Sequence, residues 1–172
     1  MEGVLGAAAA DNVEPAPNPD SLLRMEEIPV GTLVAPAPAY RESMGTGEGA
    51  AILAGILRGS GRLYYAAADA SFWVPLRLVR PIPPEALPDD CLERFLSRLL
   101  LSLDAEECLV ERHPDGLGLA IEIPRLDRAM VGELEGRLKD RLRALEIVPA
   151  SMHALTLKLD LVSLPRAAGA GR

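Results

Sequence analysis

The stretch Glu107-Cys108-Leu109-Val110-Glu111-Arg112-His113-Pro114-Asp115-Gly116-Leu117-Gly118-Leu119-Ala120-Ile121-Glu122-Ile123 decides the fold of the second half of the chain. At its middle, His113-Pro114-Asp115-Gly116 is a hairpin turn, with Pro and Asp-Gly in the positions where a reversal needs a preset φ and a permissive backbone. Residues 107–111 on one side read as a strand. On the other side Leu117, Leu119 and Ile121 alternate on one face of a partner strand running to Ile123, because side chains of an extended chain point to opposite faces in turn.

Two helical patterns flank this hairpin. Upstream, Pro88-Asp89-Asp90 places acids at a helix start, where the dipole favours them. Leu92, Phe95, Leu96, Leu99, Leu100 and Leu103 then recur at helical spacing and form one apolar face. Downstream, Leu126, Met130, Leu134, Leu138, Leu142 and Leu145 are expected to line a second helix, with Glu133/Arg137 and Glu135/Lys139 as surface pairs. Leu155, Leu157, Leu159 and Leu161 alternate with Thr156, Lys158, Asp160 and Val162 in a half-buried strand. With residues 72–80 as a leading strand, residues 83–166 give βαββαβ, a ferredoxin-like unit.

Residues 23–82 read as a β-rich, partly barrel-like module. The expected strands are 28–34, 51–57, 62–66 and 71–80, with Arg58-Gly59-Ser60-Gly61 as a tight turn and Pro75 marking an edge or a bulge. Residues 1–22 carry no buriable period and are expected to form a disordered tail, and residues 167–172 a frayed end. The fold class is therefore α+β: a small β-rich half followed by a ferredoxin-like half.

Aromatic residues are only 3 % of the 172, so the core is expected to be aliphatic. The net charge of −7 disfavours general affinity for nucleic acid, which needs clustered Lys and Arg. Cys91 and Cys108 form no CxxC motif and lie in apolar contexts, which points to buried thiols in a reducing compartment. With only His113 and His153 besides, no metal site and no cofactor is expected. No run of 18 apolar residues occurs and the start lacks a basic n-region, so the expectation is a cytoplasmic protein without a membrane span.

Few residues suggest chemistry. Gly45, Gly47 and Gly49 enclose Glu48 and precede a strand, so they read as a surface loop; a phosphate loop needs a helix next and Gly-Lys-Ser/Thr. His113 sits at a hairpin tip and His153 before the last strand, with no nucleophile placed beside either. The one cluster is aromatic: Tyr64, Tyr65, Phe72 and Trp73 are four of the six aromatics, set among Arg58, Arg62, Arg77 and Arg80. Tyr, Trp and Arg are the types that dominate binding hot spots, so Tyr64, Tyr65, Trp73, Arg77 and Arg80 are the candidate binding residues. Period two predicts Trp73, Pro75, Arg77 and Val79 on the outer face and Phe72, Val74, Leu76 and Leu78 on the core face. The competing reading makes these aromatics local core, with Trp73 capping the join between the halves.

The order Leu92-Glu93-Arg94-Phe95-Leu96, Leu109-Val110-Glu111-Arg112, Leu119-Ala120-Ile121-Glu122 and Glu133 to Leu138, with the tail Leu164-Pro165-Arg166-Ala167-Ala168-Gly169-Ala170-Gly171-Arg172, resembles the C-terminal domain of phenylacetate-CoA-ligase-type acyl-adenylating enzymes. That resemblance implies a ferredoxin-like fold. It also implies a degenerate or split relative rather than a ligase, since Ala170 stands where the family has its catalytic lysine. Three functions follow. The first is a non-catalytic interaction protein or assembly subunit, with a protein partner or a second copy. The second is a module that binds peptide or nucleic acid through the aromatic and Arg face. The third is a remnant of an acyl-adenylating enzyme.

Overall fold

The computed structural model describes residues 28–37, 49–165 and 167. The expected tail at 1–22, the loop at 44–48 and the terminal segment 168–172 with Ala170 lie outside them. The described chain is a sheet-rich α+β structure. Its elements are β1 (Leu33–Pro36), β2 (Ala51–Leu57), β3 (Ser60–Tyr65), β4 (Ala70–Pro75), β5 (Val79–Pro81), α1 (Leu92–Ser102), β6 (Glu107–His113), β7 (Gly116–Ile123), α2 (Arg128–Leu138), β8 (Leu142–Ser151) and β9 (Ala154–Val162). The strands form one antiparallel sheet in the order β4-β3-β2-β6-β7-β9-β8, with β1 bound to β2 and β5.

The local signals act as read at the hairpins. Arg58 and Gly59 both take positive φ, 50° and 79°, between the paired residues Leu57 and Ser60. Two such residues in a two-residue loop match the twist of the flanking strands. The β6–β7 hairpin pairs His113 with Gly116 and Cys108 with Ile121. At Gly116 a Cβ would strike the Leu161 carbonyl of β9, so only glycine fits this crossing.

Helix α1 buries Leu92, Leu96, Leu99 and Leu100, the face expected of it. Its N-cap is Cys91, whose Sγ accepts the Arg94 N–H. In α2 the Asp127 carboxylate accepts the Met130 N–H as N-cap, and Leu134 and Leu138 turn inward. These leucines join Leu117, Leu119, Ile121, Ile123, Leu157, Leu159 and Leu161 in the larger core, which also takes in Ile52 and Tyr64 from the first half. A smaller core of Val34, Ala51, Leu53, Leu63, Val74, Leu76 and Val79 lies where β1 and β5 close over β2–β4. Ile52 and Leu53 feed different cores because neighbouring strand residues face opposite ways.

Four expectations are corrected. The second helix ends at Leu138, and Leu142 and Leu145 belong to strand β8, which pairs with β9. The leucine spacing continued past the helix by coincidence, and the Ile147-Val148-Pro149 segment that follows suits an edge strand instead. The segment expected as one strand at 71–80 breaks at Pro75 into β4, a 3-10 turn at Leu76–Leu78, and β5. That segment pairs with β3 and β1, not with the second half. With two strands after α2 and no leading strand from 72–80, the second half is αββαββ, and the ferredoxin-like arrangement is not found. The first strand begins at Leu33 rather than Ile28, after a turn in which Pro29 carbonyl accepts from Thr32.

Both cysteines are free and buried. Burial pushes the Cys108 thiol up to about 12, and the side chain is 1 % exposed. A thiol needs to ionise and be reached to react. Cys108 is therefore expected to resist alkylation by iodoacetamide at pH 8 in the native chain and to react after denaturation, which peptide mapping will read; labelling of the native chain at the denatured rate would contradict this burial.

Candidate interaction face

Strand β3 sits between β2 and β4, and its Arg62 does more than the sequence pattern suggested. Among the described residues, sheet pairing between the two halves rests on one registered pair, Gly55 with Glu107. A bulge between Leu53 and Gly55 brings Gly55 opposite Arg62. Because Gly55 has no side chain, the Arg62 guanidinium lies across it, 3.7 Å from where a Cβ would stand. From there Arg62 donates to the carbonyls of Ala54 at 3.4 Å and Cys108 at 2.6 Å, and to Glu107 Oε2 at 3.2 Å. A planar fork can meet three acceptors on two strands at once, which an ammonium cannot. Arg112 makes a second tie, donating to the Ala66 carbonyl at 2.7 Å.

Trp73, registered with Arg62 across β3–β4, lies over this guanidinium at 5.9 Å from the ring centroid. The stack holds the indole by cation–π attraction while leaving it 49 % exposed. Phe72, next along the strand, is 39 % exposed and meets Tyr65 edge-on at 5.8 Å. Edge strand β4 thus carries one anchored aromatic on each face.

The five expected binding residues separate. Tyr64 is buried in the larger core, and its hydroxyl donates to Asp69 Oδ1 at 2.8 Å. Burial and the Asp69 carboxylate both raise its pKa, so it is a neutral structural phenol. Tyr65 is half-buried against Phe72 and the smaller core. Trp73 is exposed as expected, and Arg77 is exposed on the 3-10 turn. Arg80 is exposed on β5, apart from the β4 edge. The predicted two-face alternation holds for Trp73, Val74 and Leu76; the 3-10 turn then resets the phase, so Val79 is buried, while Phe72 is exposed at the edge. Arg62 was visible as one of four neighbouring arginines, but Glu107 and Arg112 carried no signal, because their partners are 45 and 46 residues away.

His113 lies 3.9 Å from Glu111 at the hairpin tip, and His153 is exposed in the β8–β9 turn. Among the described residues no group of three or more His, Cys, Asp and Glu side chains is placed to hold a metal, and no helix is long and apolar enough to cross a membrane. At the far end of the sheet Arg143 binds Asp160 at 2.8 Å and Asp115 at 3.1 Å, which holds both carboxyls below the usual range. Comparison with protein-family models, curated proteins and solved structures finds no match to this chain.

Proposed function

We propose that the chain is a non-catalytic protein-interaction subunit that holds its partner at edge strand β4. One observation carries this reading: Phe72 and Trp73 stand on opposite faces of an edge strand, both substantially exposed, and Trp73 is fixed on the Arg62 guanidinium. An edge strand offers unpaired backbone groups to an extended segment, and flanking side chains supply the specificity. A preset aromatic loses little conformational freedom on binding. A polypeptide partner is favoured over nucleic acid by the chain's charge of −7.

The double variant Trp73→Ala/Arg77→Ala tests the proposal. Both side chains are exposed, so circular dichroism is expected to be unchanged. Affinity for the partner that co-purifies from the native cell is expected to fall by about 30-fold or more, the loss of a hot spot worth about 2 kcal/mol. Unchanged partner binding by the folded variant would remove this surface from consideration.

A further inference from the structure

At the opposite edge of the sheet from β4, helix α2 leaves a face uncovered beside β8. The groove there has a volume of about 610 Å³ and is lined by Leu126, Asp127, Arg128, Val131, Gly132, Glu135 and Ile147; the Asp127 carboxylate is engaged by the Met130 N–H at the start of α2. Ile147 of β8, on the other wall of this groove, is 43 % exposed. Arg128, Val131, Gly132 and Glu135 are spaced i, i+3, i+4 and i+7, so they form a single stripe along the helix.

This stripe is complementary to itself. Its cation and its anion lie equally far from a centre between Val131 and Gly132, about 10 Å apart along the axis. Neither Arg128 nor Glu135 makes an ion pair among the described residues; the pair expected between Glu135 and Lys139 does not close within 4 Å. A two-fold axis through that centre would set Arg128 of each copy against Glu135 of the other, twice, over the Val131 side chains. A Cβ at Gly132 would meet nothing within 4 Å, so the two backbones have room to approach at the axis. Closed two-fold contacts require this kind of self-matching patch.

We infer that the occupant of this groove is a second copy of the chain, and that the protein is a two-fold homodimer packed through antiparallel α2 helices. The dimer covers Ile147 and Val131 and leaves edge β4 free for a different partner.

Sedimentation equilibrium of the full chain tests this with a charge-swap cycle. The wild type is expected to sediment as a dimer at micromolar concentration. Arg128→Glu and Glu135→Arg each turn two attractions into two repulsions and are expected to weaken the dimer at least about tenfold. The double variant Arg128→Glu/Glu135→Arg restores both pairs and is expected to recover the dimer. Because both side chains are exposed, circular dichroism is expected to be identical in all four proteins. A second measurement uses Gly132→Cys, which is expected to form a disulfide-linked dimer on mild oxidation. A monomeric wild type, single reversals that leave the dimer unchanged, a double variant that fails to recover it, or a Gly132→Cys protein that stays unlinked would each overturn the inference.

Discussion

Leu99→Asp is expected to unfold the chain. Leu99 is 1 % exposed on the inner face of α1, packed in the larger core with leucines from β7 and β9. An aspartate there loses the buried methyl groups and places a carboxylate among apolar side chains. Leu→Ala alone in such a site costs about 2–5 kcal/mol, and burying an unpaired charge adds several more. Against a total stability of about 5–15 kcal/mol, the folded state does not survive. Leu138→Asp on α2, 4 % exposed, loses the same kind of apolar burial and is expected to destabilise the chain strongly, though Arg98, Arg137 and Arg141 border the same cavity and soften the cost of the charge. Loss of the cooperative thermal transition and of far-ultraviolet circular dichroism is the measurement. Retained structure in both variants would mean that the apolar faces of α1 and α2 are not the ones buried.

Arg62→Ala is expected to loosen the junction between the two halves. The substitution leaves the Ala54 and Cys108 carbonyls and the Glu107 carboxylate without their shared donor, at a side chain only 14 % exposed. Hydrogen bonds to a charged donor contribute about 1.5–3 kcal/mol. For a chain of this length that lowers Tm by about 4–10 °C. Arg62→Lys is expected to recover little of it, since one ammonium cannot span both carbonyls. Glu107→Gln is expected to have a small effect, because Glu107 is 44 % exposed and water replaces it. Hydrogen exchange is expected to rise first at β2 and β6, where one registered pair joins the halves. A Tm for Arg62→Ala equal to that of the wild type would contradict the tie.

These two sites differ in how far the sequence disclosed them. Leu99 was legible, because α1, the β6–β7 hairpin and the leucine alternation of β9 depend on neighbours within a few residues. Apolar residues three and four apart define a helix face wherever the helix goes, and Pro-Asp-Gly reverses the chain on its own. Leu142 and Leu145 mark the limit of that logic. Their spacing suits a helix, yet backbone pairing with β9 over Leu142 to Ser151 makes them a strand, and a strand's state depends on a partner that local periodicity does not name.

The sequence by itself determined the α+β class, the turns, the aliphatic core and the inner faces of α1, β7 and β9, since each follows from local backbone preference and the removal of apolar side chains from water. Only the tertiary structure decided that the two halves share one sheet and that Tyr64 is structural while Trp73 is exposed. It also decided that Arg62 reaches across Gly55 to carbonyls on two strands. Those outcomes depend on contacts between residues up to 46 positions apart, where the bulge at Gly55 and the register of β2 against β6 set which side chains meet.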